Sequence, residues 1–500
     1  MTAEHAQGGG EPRPTAEHAA ALAGGLPERP AAAPAVPTAA PGPRLGRPTR
    51  APRRAPTDFN YGFDQAQLDL RTSTGPGWLA DERRMAFERW QTLPAETNRL
   101  YTTYIDLRLA DLGEVRAWPE PSTGPGRDGI DQAPNGAAGI AAFREDQVTS
   151  LVLDDAARSA GVVLETLAAL IARDESLARR LLTDPEALPA DDKFAQLTRA
   201  GWNQGVVLHV PDGVRLTRPI ILRWQAGQAG HALLTRTIVN LGSGASASVL
   251  EELVGSSAVP PAENAGQALF TGSLELHLGA GAELAVASIQ DLPANTVAFQ
   301  HRRAEIGDGA ALHWALAQLG GRLVRSRVDN RLVGDRSSVE QVEIVFGDGS
   351  QLFDLTSFTT HLGRNTTGIL LSKGALKDAA RTYMKGLITI EKSAVGTDSF
   401  LGEFGMNLSR AARAVAIPSL EIDQPDCRRA AHSSSVGPID ETQLFYLESR
   451  GIDPDEARKF IVLGFLEPVV VRVPLADAQD RLRDLLAAKW TGRVADASAA

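Results

Sequence analysis

The chain has one cysteine among 500 residues, Cys427. That excludes an intramolecular disulfide framework and any metal centre built wholly from this chain's thiolates, and it suits a reducing compartment. Positive charge is also short. Lys and Arg number 51 against 61 Asp and Glu, a net charge of −10, which leaves no basic footprint for nucleic acid and favours solubility. No apolar run reaches the roughly 18–20 residues of a membrane helix. The strongest stretch, FIVLGFLEPVVVRV, is cut by Glu467 and Pro468. The start, MTAEHAQGGGEPRPTAEHAA, lacks a basic segment followed by an apolar one, so no secretory leader is expected and the expected location is cytoplasmic, with no membrane partner. Catalytic signatures are missing too. There is no Gly-Lys dipeptide for a Walker A loop, no H-E-x-x-H and no G-x-S-x-G.

What is there divides into five parts. Residues 1–57 are mostly Ala, Pro, Gly and Arg, too poor in apolar surface to offset the entropy of ordering, and read as a disordered tail. Residues 58–190 read as a helical domain. In GWLADERRMAFERWQTLP (77–94), Trp78, Leu79, Met85, Ala86, Phe87 and Trp90 form a broad apolar face and Pro94 ends the helix. GVVLETLAALIARDESLARRLL (161–182) reads as a second helical block, apolar at Val163, Leu164, Leu167, Leu170 and Ile171. Between them, 113–146 is rich in Gly and Pro and reads as loop. Its GPGRDG (124–129) has the spacing of a dinucleotide fingerprint, but no strand precedes it and Pro125 lies inside it, so a nucleotide site is rejected.

Residues 191–425 alternate short β-branched runs with a recurring corner: LGAGAEL (278–284), IGDGAAL (306–312), VGDRSSV (333–339), FGDGSQL (346–352). Gly279, Gly307 and Gly334 recur at intervals of 28 and 27 residues, Gly347 follows near half an interval later, and 242 to 279 spans 37. Glycine is expected to supply the positive φ of each corner, and the apolar residues after it to re-enter a shared interior. Such units suggest stacked coils of a solenoid over a β-sandwich. Residues 426–490 read as helical. Asp440 and Asp453–Pro454 start two helices, Gly451 ends the first, and Pro474 precedes an amphipathic third; 491–500 is a short polar tail. The fold class is mainly β: a right-handed parallel β-helix flanked by N- and C-terminal helical domains.

DCRRAAHSSSVGPID (426–440) holds Cys427 and, five positions on, His432. By residue type alone the pair is either a structural loop entering the helices or half of a metal site completed by another chain. The strand histidines in LHV, LHL and LHW read as exposed or hydrogen-bonded. Asp329, Asp335, Asp348 and Asp354 read as turn residues in or beside corners.

Four blocks carry a resemblance: DKFAQLTRAGWNQGVVLHVPDGVRLTRPIIL (192–222), TTHLGRNTTGILLSKGALKDAARTYMKGLITI (359–390), NLSRAARAVAIPSLEI (407–422) and HSSSVGPIDETQLFYLESRGIDPDEARKFIVLGFL (432–466). In this order the chain resembles the SufB/SufD family of iron–sulfur cluster assembly scaffolds. GWLADERRMAFERWQTLP followed by YTTYIDL is similar to the SufD branch. So are the segment before Pro418, which has no cysteine, and Ser433 after His432, where SufB-type chains carry glutamate. A cysteine two residues before the histidine, frequent in that branch, is replaced by Ala430. The resemblance implies a non-catalytic subunit that pairs through its β-helix with a SufB-like chain and through its C-terminal helices with a SufC-like ABC ATPase, a homodimer being the competing assembly. It implies a transient iron–sulfur cluster shared at the interface, with His432 and, less directly, Cys427 as metal ligands. A SufB-like paralogue and, in a different class, a polysaccharide-active β-helix enzyme are the alternatives.

Overall fold

In a computed structural model the described residues are 54–118, 134–185, 187–257 and 266–491. The GPGRDG stretch (124–129), residues 1–53 of the leading tail and residues 492–500 lie outside them. The first elements are helices α1 (Gln65–Thr72) and α2 (Gly77–Thr92), strands β1 (Arg116–Ala117), β2 (Gly139–Arg144) and β3 (Gln147–Leu153), and helix α3 (Asp155–Ser159). Strand β4 (Val163–Thr166) and helices α4 (Leu167–Arg173), α5 (Glu175–Leu182) and α6 (Lys193–Gly201) lead into the main body. The expected helix over 161–182 is therefore shorter. Val163–Thr166 pairs antiparallel with Val206–His209, and the helix starts only where the Thr166 hydroxyl accepts from the Ala169 N–H.

Sixteen strands follow: β5 (Gln204–Val210), β6 (Ile220–Ala226), β7 (His231–Leu241), β8 (Ser246–Gly255), β9 (Ala268–Leu278), β10 (Glu283–Asp291), β11 (Thr296–Ile306), β12 (Ala311–Gln318), β13 (Leu323–Leu332), β14 (Ser338–Gly347), β15 (Leu352–His361), β16 (Thr367–Leu376), β17 (Arg381–Ile390), β18 (Asp398–Asn407), β19 (Arg413–Ile422) and β20 (Arg429–Gly437). Odd strands pair in parallel with odd, even with even, so the chain crosses between two ten-stranded sheets at every corner. Two strands make a coil, and the result is a parallel β-solenoid of about eight turns. Glu283 pairs with Ala311 and Ala311 with Ser338, which are the 28- and 27-residue steps of the sequence repeat. The 37-residue step is the coil in which Ser246 pairs with Glu283, where the chain between β8 and β9 is longer. Gly347 ends β14, at the opposite corner leading into β15, hence its half-interval.

The corner glycines work differently from the expectation. Gly279, Gly307 and Gly334 are not at positive φ; that seat lies two residues on, at Gly281 (φ 65°), Gly309 (62°) and Arg336 (59°). The repeating glycines are instead places where coils stack backbone on backbone. A Cβ at Gly279 would lie 2.8 Å from Ser243 N, and one at Gly307 2.7 Å from Leu278 O. Aspartates knit the same column: Oδ1 of Asp212, Asp308 and Asp335 accepts from the backbone N–H of Ser243, Asp335 and Arg364 in the next coil. Turn chemistry thus accounts for Asp335. Asp329 and Asp354, by contrast, lie inside β13 and β15, buried against Arg327 (2.9 Å) and Lys385 (2.6 Å).

The lumen holds a continuous apolar core that includes Leu222, Trp224, Val249, Leu284, Leu312, Trp314, Val339 and Phe353. The N-terminal elements cover the outer face of the odd sheet. Phe194 of α6 stacks on Phe299 of β11 at 3.9 Å, with Phe59 edge-on to both. Met85 is the exception on α2: it is exposed, and Arg83 takes an inward place, donating to the Ala200 carbonyl and lying over the Trp202 ring at 4.4 Å. Helices α7 (Glu441–Ser449), α8 (Pro454–Val470) and α9 (Ala476–Thr491) close the chain. Asp440 and Asp453 cap the first two, and Pro468 is tolerated in the last turn of α8. They return over the even sheet, where Arg472 pairs with Glu340, Arg481 with Glu252, and Lys489 with Asp348 (3.1 Å).

Candidate metal site at the open end of the solenoid

Among the described residues, strands β19 and β20 are the last of their sheets, each paired on one side only, β19 to β17 and β20 to β18. An unpaired strand edge offers a row of backbone donors and acceptors to another chain. His432 lies in β20 itself, nine residues ahead of α7, so the stretch that carries it continues the solenoid instead of entering the helices. In the parallel ladder His432 stands opposite Leu401 and Ser434 opposite Glu403. Paired residues share a face, and Leu401 is fully buried in a cluster with Leu370, Ile388, Ile390 and Ala394. His432 is therefore on the lumen side of the final coil, yet exposed, since among the described residues no further coil lies above it.

Cys427 occupies the loop between β19 and β20. It is half-buried and packs on the same end cluster as Leu420 and Ala430. The loop is pinned on both sides of it: Gly396 N donates to the Asp426 carbonyl (2.7 Å), and Arg428 Nε to the Gly396 carbonyl (2.9 Å). Arg429 pairs with Asp398 at 2.7 Å. The imidazole thus meets solvent at the open end of the lumen, while the thiol lies against apolar side chains. Among the described residues, neither belongs to a group of three His, Cys, Asp or Glu donors; the one such group is elsewhere. Chemically, the open end offers one nitrogen ligand and one thiol, which is too few to enclose a cluster alone.

One nearby residue escaped sequence reasoning. Glu403 is 1% exposed on the lumen side of β18, and its Oε2 accepts from the Ile417 N–H at 2.8 Å. Burial pushes its carboxyl up to about 8. The signal was the alternation of DSFLGEFGMN, which puts Glu403 two places after inward Leu401. Deeper in the lumen Glu251, Ser288 and Arg302 form a bonded trio, and Gln318 and Ser326 donate to Glu343.

The outer helices present a different surface. No residue of α7 is buried, and Phe445 and Tyr446 on it and Phe460 on α8 are large exposed aromatics. Among the described residues, no helix is long and apolar enough to cross a membrane.

Residues 223–465 match the family model for the SufBD core domain of SUF-system FeS cluster assembly. The chain is 26% identical over 422 residues to the iron–sulfur cluster assembly protein SufD of Bacillus subtilis, covering 83% of this chain and 94% of that protein. It is 24% identical over 459 residues to an iron–sulfur cluster assembly SufBD family protein of Staphylococcus epidermidis, covering 85% and 96%. A Staphylococcus aureus SufBD family protein matches at 24% over 456 residues, with the same coverage. With the solenoid, its two helical flanks and these matches along most of its length, this chain is a member of the SufBD family of iron–sulfur cluster assembly proteins.

Proposed function

We propose that this chain is the SufD-like, non-catalytic subunit of a cytoplasmic cluster-assembly scaffold, and that it supplies half of a metal site. Its partner at the open end is a SufB-like chain, joined edge to edge through β19 and β20. A SufC-like ATPase docks on the C-terminal helices, where Phe445, Tyr446 and Phe460 offer apolar anchors beside solvent. The ATPase supplies the nucleotide energy that a chain without a Walker A lysine cannot. Its closing and opening act through differential contacts at the joint between the two solenoids.

The observation that carries the reading is His432, an exposed imidazole on the inward face of a strand with a free edge. A neutral imidazole ligates iron, and a cluster shared between chains needs only one or two ligands from each. Cys427, packed against the end cluster, is the secondary candidate; shifting the loop that holds it would bring the thiol to the joint. A polysaccharide-active enzyme needs carboxylates lined up on an outer face. Here Asp329 and Asp354 are spent in buried ion pairs, which favours the scaffold reading.

The test is anaerobic co-expression with the SufB-like and SufC-like chains, comparing wild type with His432→Ala. Complex formation is read by size and cluster content by visible absorbance. A complex that assembles but carries no cluster supports the proposal. An unchanged cluster makes the chain a purely structural partner, and failure of the wild type to assemble refutes the assembly itself.

A further inference from the structure

We propose that Asp184, His277 and Glu305 form a second metal site, for one divalent first-row transition cation, on the outer face of the odd sheet. The site owes nothing to the open end or to the shared-cluster reading. His277 and Glu305 are direct partners across the β9–β11 ladder. Their neighbours Leu276, Leu278, Ala304 and Ile306 are buried in the lumen, so both side chains point outward on the same face. Asp184 arrives from the turn after α5. That backbone is held in place by two buried arginines: Arg236 Nη1 donates to the Leu182 carbonyl (3.1 Å) and Arg199 Nη2 to the Asp184 carbonyl (3.4 Å).

One donor atom from each of the three residues lies within 4.8 Å of the others, and all three residues are half-buried. His277 Nε2 is shielded from solvent and makes no hydrogen bond. A sheltered ring nitrogen without a partner is costly, and facing two carboxylates it is the arrangement a cation would complete. Arg331 approaches Glu305 Oε1 at 3.5 Å, too long for a hydrogen bond, so it offsets part of the charge without capping the carboxylate. One imidazole and two carboxylates suit iron(II), manganese(II), cobalt(II) or zinc(II), with water filling the remaining positions. Bound there, the ion would tie the end of α5 to two adjacent coils.

The experiment uses the full chain, stripped with chelator and titrated anaerobically with cobalt(II), whose visible d–d bands report its ligands. One equivalent should bind, raise the thermal midpoint, and persist in a Cys427→Ala/His432→Ala double variant. His277→Ala should abolish the bands, and Asp184→Asn and Glu305→Gln, which keep side-chain shape, should each weaken binding by at least about tenfold. Far-UV circular dichroism checks that each variant is folded; if His277→Ala is not, the two conservative variants decide. Absence of saturable binding, binding unchanged in the folded variants, or bands lost in the Cys427/His432 double variant would each overturn the assignment. None of these outcomes depends on whether the SufB-like complex forms a cluster.

Discussion

Replacing Glu403 by glutamine should make the protein more stable, and increasingly so as pH rises. Glu403 is buried at the last full coil with one hydrogen bond, from Ile417 N–H, and burial pushes its carboxyl up to about 8 from the 4.5 of an ordinary glutamate. Between those values the unfolded chain has lost the proton and the folded chain keeps it. Since the native state binds more protons, stability falls with rising pH across this window and levels off above about 8. From pH 5 to pH 8 the folded chain keeps a proton that the unfolded chain has given up, over nearly three pH units at about 1.4 kcal/mol each, which amounts to roughly 3–4 kcal/mol. Glutamine keeps an acceptor for the Ile417 N–H and has nothing to ionise. The gap between Glu403→Gln and wild type, from urea unfolding at pH 5, 6, 7 and 8, should therefore widen by about 3 kcal/mol toward pH 8. Parallel profiles would refute the placement of Glu403 as a buried, unneutralised carboxyl.

Other outcomes follow from the same structure. Gly279→Ala, whose Cβ meets Ser243 N at 2.8 Å, should cost about 1–3 kcal/mol in denaturant unfolding through overpacking of stacked corners. Gly281→Ala has open space but φ of 65°, and should cost about 1–2 kcal/mol from backbone strain alone. Phe194→Ala removes the ring stacked on Phe299 and should cost about 3–5 kcal/mol, read by the same assay. His432→Ala, exposed on the final strand, should change stability by no more than about 0.5 kcal/mol, so any loss of cluster in that variant reports ligation instead of unfolding. A Phe445→Ala/Tyr446→Ala pair should leave the thermal midpoint in place while weakening ATPase capture by at least about tenfold in a titration.

The repeat of Gly279, Gly307 and Gly334 was legible because each coil must return to the same stacking point, and this periodicity is written locally. What those glycines do was not legible. A residue type reports that a Cβ is unwelcome, but whether φ or a neighbouring backbone forbids it depends on the coil stacked alongside. Val163–Thr166 reads as helix by its own apolar spacing and is a strand because β5 offers it backbone partners. At the candidate site, Cys427 and His432 stood out as residue types, while their different settings, one against the end cluster and one exposed on a free-edged strand, came from the register of β20 on β18.

The sequence alone determined the solenoid, its helical flanks and the family, since these rest on local signals: corner spacing, caps and contiguous motifs. Only the tertiary structure decided which distant residues meet. Glu403 becomes a buried acid by facing the lumen beneath Ser434. Asp184, 93 positions before His277 in the chain, is carried to it by the turn after α5. The physical reason is that pairing across coils and docking of helices on sheets are set by long-range packing, and a side chain's chemistry depends on the neighbours that packing supplies.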